Sequence, residues 1–254
     1  MKNKTSLRPW AVLAWLLAWQ LGAMLLHREI LLVSPLRVLA RLGELVAQPT
    51  FWRAVLHSLV RIGAGFLLGT GCGALLAVLA ARFRRARELL APLMLTIRSV
   101  PVASFIILAL VWVSSKHLAV LIVFLMVLPV IYTNTLDGID HIDPALVELA
   151  RVFRIPGRRR ARRIYLDQVM PAFLTGCRLS LGLCWKAGVA AEVIGMPKGS
   201  IGERLQQAKV YLDTPDLFAW TLVVLVLSHA FERLALCGIE ALGRRLSGTR
   251  PEGR

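Results

Sequence analysis

The hydrophobic positions fall into long uncharged blocks separated by short charged segments. Uncharged residues run from Pro9 to Leu26 (18 residues), Ile62 to Ala81 (20), Ser99 to Ser115 (17) and His117 to Leu136 (20). A last block runs from Leu217 to Phe231. A helix needs about 20 mostly apolar residues to cross the hydrocarbon core, so these blocks predict membrane spans. A further segment, Ala172 to Gly195, is helical in pattern but carries Arg178, Lys186 and Glu192. Counting it gives six spans, and omitting it gives five.

The placement of basic residues favours six. With the N-terminus inside, the cytoplasmic segments hold 20 Lys and Arg against 9 in the external ones. That is the sense of the positive-inside rule, and it puts both termini in the cytoplasm. The first block is longer than the 7–15 apolar residues of a signal peptide, and no A-x-A site follows it. It therefore reads as a retained span. Between the first two spans, Leu36, Leu39, Leu42, Leu45 and Val46 recur at helical spacing opposite Arg37, Arg41 and Glu44. Such a helix lies in the membrane interface or against the protein's own spans.

Composition narrows the class. The chain is 57% hydrophobic and 18% charged, with a net charge of +16. A soluble domain has about 45–50% apolar and about 25% charged residues. A soluble enzyme, a disordered chain and a disulfide-stapled module are thereby excluded. The surplus of basic residues flanks apolar blocks, which points to membrane lipid as partner and not to nucleic acid. The expectation is an all-α integral membrane protein forming one domain over residues 1–254, with a disordered tail from Gly243.

Candidate chemistry is sparse. Cys72, Cys177, Cys184 and Cys237 form no C-x-x-C and read as small apolar residues. The five histidines form no H-x-x-x-H pair, so neither a metal site nor a cofactor is expected. No nucleophile–base or paired-carboxylate arrangement marks a catalytic residue. Gly65, Gly69 and Gly73 recur every fourth residue, continued by Ala77 and Ala81. Small residues at that spacing let another helix approach closely and predict a packing seam.

The segment 137–171 is the most informative. Asp143 followed by Pro144 suits a helix start, an N-cap acceptor before a proline at N1. Leu146, Ala150 and Phe153 then form one apolar stripe, and Pro156–Gly157 breaks the helix. Arg158, Arg159, Arg160, Arg162 and Arg163 open a second helix leading to Pro171. The first helix is either a plug for a cytosolic partner or an interfacial helix on anionic lipid.

The run VELARVFRIPGRRRARRIYLDQVMP resembles the EAA loop of permease subunits in type I ABC importers. That pattern has E-A-A, a glycine six residues after the Glu, and an apolar residue and L-P further on. Glu148, Ala150 and Arg151 match its start, Ile164 and Leu166 its apolar positions, and Pro171 a second proline common there. Leu149 replaces the middle Ala, Arg154 stands where the glycine is expected, and Asp167 replaces the first proline. Gly157 stands nearby as an alternative bend. The stretches HSLVRIGAGFLLGTGCGALL, IRSVPVASFIILALVW and WKAGVAAEVIGMPKGSIGERLQQA resemble permeases of the nitrate/sulfonate/taurine group. The likeness covers roughly residues 30–235.

The resemblance implies that Glu148, Ala150 and Arg151 contact an ATP-hydrolysing subunit, with Phe153, Arg154 and Gly157 in the same docking segment. It further implies two ATPase subunits, an extracytoplasmic substrate-binding protein, a permease homodimer and an inner-membrane location. The chain has no G-x-x-x-x-G-K-[ST] and no Gly-Lys dipeptide, so ATP hydrolysis falls to a partner. Members of the group carry anions such as nitrate and sulfonates, and others carry neutral or cationic vitamin precursors.

Arg178, Lys186 and Glu192 fall on one side of their helix at 100° per residue. Ionisable groups within a span usually face a bundle interior or water, so they form a candidate pathway wall. Alternatively, Arg178 and Glu192 snorkel to opposite interfaces and only Lys186 needs a partner. The rival functions are an ion-driven secondary transporter, which would want inverted repeats and midplane acids, and a membrane scaffold.

Overall fold

The computed structural model describes residues 9–26, 32–160 and 164–247. All regular structure among them is helical. The order is α1 (Pro9–Leu26), α2 (Pro35–Val46), α3 (Pro49–Arg82), α4 (Arg84–Ser99), α5 (Val102–Ala109) and α6 (Ser115–Asp140). There follow α7 (Pro144–Val152), α8 (Gly157–Arg160), α9 (Leu166–Gly195), α10 (Ile201–Val210) and α11 (Thr214–Ser247). The protein is an all-α integral membrane protein. Helices α3, α6 and α11 are each long and apolar enough to cross a bilayer, and α4 with α5 makes a fourth if the bent pair is one span.

Local chemistry starts several of these helices. Pro35 and Pro49 open α2 and α3, where a missing N–H leaves no bond unmade. Ser34 caps α2 by accepting from the Arg37 N–H, and Ser200 caps α10 by accepting from the Glu203 N–H at 3.0 Å. The Glu203 carboxylate reaches back to the Gly199 N–H at 2.6 Å, so two orphan donors are satisfied together.

Helices α3, α6 and α9 form the centre of the bundle. Along α3, Gly65, Gly69 and Gly73 meet Val123, Val127 and Ile131 of α6 in order, so the two helices run parallel. Helix α9 runs antiparallel to α6, with Gly138 against Ala172, Gly176 against Asn134 and Gly195 against Leu118. The glycine seam read from the sequence thus packs on α6. Helix α11 closes the other side of α9. Phe231 receives the edges of Trp185 and Phe66, and Trp220 stacks on Phe51 with ring centres 5.1 Å apart. The start of α11 is tied to α2 by an ion pair between Arg41 and Asp216. One side of α2, with Val38 and Leu45, is buried on the protein's own helices, while Leu36 and Leu39 stay exposed.

One expected element differs. The block 99–115 reads as a single span, yet α4 ends at Ser99, α5 begins at Val102, and their axes bend by 101°. Pro101 is the cause, because a residue before proline is driven out of the α region. Val100 accordingly adopts φ −77°, ψ 130°. The charged segment 82–98, one of those counted as cytoplasmic, is mostly the helix α4. At the other terminus α11 continues through Ser247, inside the tail that reads as disordered, and 248–254 lie outside the described residues.

Candidate functional site

Two features stand at opposite ends of the bundle. At the end shared by Arg82, Asp140 and the start of α9 lies α7. The Asp143 carboxylate accepts from the Ala145 N–H at 2.8 Å, which caps the helix. The Asp143 N–H donates to the Gln168 side-chain oxygen at 2.8 Å and so ties the cap to α9. Ala150 is buried, whereas Glu148, Leu149, Val152 and Phe153 are exposed. The expected stripe of Leu146, Ala150 and Phe153 therefore splits, with Ala150 turned inward and the two large residues outward. Helix α7 ends where Arg154 takes φ 47° and the Ile155 N–H bonds back to the Ala150 carbonyl at 2.9 Å. Gly157 opens α8 with open space where a Cβ would stand, so no close approach requires it. The Arg151 and Arg158 side chains, and residues 161–163, lie outside the described set.

At the opposite end Glu192 is fully buried. The Ser58 hydroxyl donates to its Oε2 at 2.6 Å, and the Gly202 N–H approaches the same oxygen at 3.3 Å. The Ile201 N–H donates to Ser58 Oγ at 3.0 Å, and the Arg61 guanidinium lies 3.6 Å from Oε1. One carboxylate thus joins α3, α9 and the start of α10. The connection stays tight because Met196 takes φ 45° to end α9 and Pro197 follows. His57 adds a bond from Nδ1 to the Gly199 carbonyl at 3.2 Å.

Arg178 and Lys186 are placed apart from this cluster. Arg178 pairs with Glu240 of α11 at 3.3 Å. Lys186 lines an open groove of about 740 Å³ between α9 and α11, with Trp185, Val193, Leu225, His229 and Glu232. The structure therefore does not gather Arg178, Lys186 and Glu192 into one constellation.

Residues 69–245 match the family model described as binding-protein-dependent transport system inner membrane component. The chain belongs to this family. It is an ABC-importer inner-membrane permease of the nitrate/sulfonate/taurine type. A permease ascribed to aliphatic sulfonate transport in Bacillus subtilis (strain 168) is 29% identical over 221 residues, covering 85% of this chain and 80% of its own. The taurine transport system permease protein of Escherichia coli (strain K12) is 25% identical over 238 residues, covering 90% and 84%. The bicarbonate transport system permease protein of Synechococcus elongatus is 28% identical over 145 residues, covering 57% and 52%.

In this permease the residue that departs most plainly from the EAA pattern has a backbone reason to be glycine. Arg154 occupies the left-handed region, which costs an L-residue about 1–2 kcal/mol. Glycine removes that cost but brings about 0.5–1 kcal/mol of extra unfolded-state entropy. Arg154→Gly is therefore expected to leave the thermal midpoint unchanged or slightly raised. Arg154→Val is expected to lower it, because a β-branched residue tolerates this region worst. Thermal unfolding of the detergent-solubilised variants checks the order; Val at or above Gly would sink the strain argument.

The partners of Glu192 were missed by sequence reading. Ser58 stands 134 residues away, in the stretch between the first two uncharged blocks. A serine three residues before an arginine carries no signal of its own. Gly202 offered a faint one, since glycine beside a helix start marks a close backbone approach.

Proposed function

We propose that this permease forms the membrane pathway of an ATP-driven importer, with α7 as the helix that couples it to a separate ATPase. The carrying observation is the state of α7: tied at its start to α9 through Asp143 and Gln168, turned inward at Ala150, and outward through Leu149, Val152 and Phe153. A short helix with an uncovered apolar face beside an exposed Glu148 suits a partner cleft. The end bearing α7 also carries Arg82, Arg84, Arg85 and Arg87, which supports a cytoplasmic assignment for that end.

On this reading the chain crosses the membrane six times with both termini inside. Helix α1 is 18 residues long, and α9, at 30 residues or roughly 45 Å, runs beside α6 although Arg178, Lys186 and Glu192 stand within it. Two copies would enclose one pathway, served by two ATPase subunits and an external binding protein that delivers a small solute. Sulfonate-like and other small anions are the solutes favoured by the relatives. Of the charged residues on α9, Lys186 is the pathway candidate, since Arg178 and Glu192 have partners within the chain.

Affinity purification of the tagged full chain from its native membranes tests the coupling role. Wild type is expected to bring down a P-loop ATPase with ATP-hydrolysing activity. Glu148→Ala combined with Phe153→Asp, and a deletion of 145–156, are expected to lose it. A gel-filtration profile matching wild type shows that the point variant still folds. No ATPase with wild type, or equal recovery with the variants, overturns the reading.

A further inference from the structure

Between α4 and α6 lies a second cavity, of about 250 Å³, lined by Arg87, Met94, Leu95, Arg98, Tyr132 and Thr133. Its charge balance is uneven. Arg87 is held by Asp140 through two hydrogen bonds of 2.5 and 3.2 Å, so that pair is neutral. Arg98 has no hydrogen-bond or ion-pair partner among the described residues, and it is exposed. The cavity thus carries one uncompensated positive charge.

Position makes that charge notable. Arg98 stands fourteen residues after Arg84 on the same helix, about 21 Å further along its axis. The bend at Val100–Pro101 follows at once. Exposed Leu89, Leu93 and Leu95 share this helix, so the guanidinium stands on an apolar surface and not in a charged loop. A cation on an apolar helix face is costly to cover unless a counter-charge or water reaches it.

A second observation points the same way. Tyr132 is 97% buried on the cavity wall, and its hydroxyl has no hydrogen-bond partner. A buried hydroxyl left unmade loses free energy that a ligand oxygen would restore. An unpaired guanidinium and an unpartnered phenol beside a small cavity form a donor set without an acceptor. Oxyanions supply what is missing, because a guanidinium fork takes two oxygens of a tetrahedral group.

We propose that the α4–α6 cavity is a binding site for a single tetrahedral oxyanion, of the phosphate or sulfonate class, held by Arg98 and Tyr132. Such a group comes either as the headgroup phosphate of an anionic lipid or as a free solute. Basic cavities between membrane helices are known to take lipid headgroups. The site is separate from the Lys186 groove and does not depend on α7.

Thermal-shift titration of the purified full chain in a neutral detergent tests this. One arm adds short-chain phosphatidylglycerol and the other adds methanesulfonate or inorganic phosphate, with phosphatidylcholine and chloride as controls. At least one arm is expected to raise the midpoint saturably. Arg98→Gln is expected to weaken that response roughly tenfold, the loss of one charge-assisted hydrogen bond. Tyr132→Phe, which keeps the packing, is expected to weaken it severalfold without lowering the unliganded midpoint. A response to phosphatidylglycerol alone identifies a lipid site, and a response to the small anions identifies a solute site. No saturable response in either arm, or one unchanged in Arg98→Gln, overturns the proposal.

Discussion

Glu192→Ala is expected to destabilise the folded permease by about 3–5 kcal/mol, the usual cost of removing one partner from a buried charged pair. A loss of that size corresponds to a fall of roughly 10 °C in the thermal midpoint of a chain this long. The size follows from what the alanine leaves behind. The Ser58 hydroxyl loses its acceptor, the Gly202 N–H loses its contact, and Arg61 keeps its charge in a mostly buried place. A single hydrogen bond between membrane helices contributes only about 0.6 kcal/mol on average. The cluster exceeds that because three groups, from α3 and the start of α10, meet on one carboxylate of α9. Glu192→Gln should lose less, since an amide oxygen still accepts from Ser58 while the attraction to Arg61 disappears. Gly202→Ala provides an independent route to the same damage. A Cβ there would stand 2.3 Å from Glu192 Cβ and 2.4 Å from its carbonyl carbon, distances no atom pair tolerates. The α9–α10 connection would have to open. Midpoints measured by gel filtration after heating decide the matter; an alanine at 192 within a degree or two of wild type would show that the carboxylate holds nothing together.

The sequence shows its long-period features and hides its long-range partners. The blocks starting at Ile62, His117 and Leu217 became α3, α6 and α11, because twenty apolar residues in lipid can satisfy their backbone only as helix. The glycine spacing of α3 was legible for a similar reason, since small residues on one face have little use except close approach. Legibility ends where tertiary context decides. Pro101 is plain in the sequence, but its effect on the block 99–115 depends on α5 finding cover against α6 and α9. There Ile106, Leu118, Ile122 and Ala191 form a common cluster. Arg178, Lys186 and Glu192 share a helical side of α9, yet they face Glu240, an open groove and Ser58 in turn. Spacing on one helix gives direction and says nothing about which residue waits there. On α7, the cap at Asp143 and the break at Pro156–Gly157 were legible, whereas spacing alone did not show that Ala150 is buried and Phe153 exposed.

Alanine at Gly65, Gly69 or Gly73 is expected to destabilise the permease by about 1–3 kcal/mol each, as overpacking does in a filled core. Alanine at Gly71 is expected to do the opposite. Glycine within a helix costs about 0.5–1 kcal/mol relative to alanine, and nothing lies within 4 Å of where a Gly71 Cβ would stand. The same chemical change on the same helix should therefore reverse sign with a shift of two residues. At the seam the obstacle is largely backbone. A Cβ on Gly65 would come within 2.7 Å of the Val120 carbonyl oxygen, one on Gly73 within 2.8 Å of the Leu128 carbonyl oxygen, and one on Gly69 within 2.8 Å of Val127 Cβ. Trimming Val123 or Val127 to alanine leaves those atoms in place, so it should give little rescue. Gly188 makes a useful comparison. Its nearest neighbour is Ile62 Cγ1 at 2.6 Å, a side chain and not backbone, but Ile62 is β-branched and fully buried, so Gly188→Ala should cost about as much as a seam position. The effect is large in a membrane protein because lipid tails are as apolar as the helix faces. No hydrophobic force pulls α3 back onto α6 once they are wedged apart, and close packing is most of what joins them. Thermal midpoints of the five alanine variants in one detergent suffice as a test. A Gly71 variant as unstable as the seam variants would mean that glycine serves α3 through flexibility and that the parallel α3–α6 contact is not the source of its spacing.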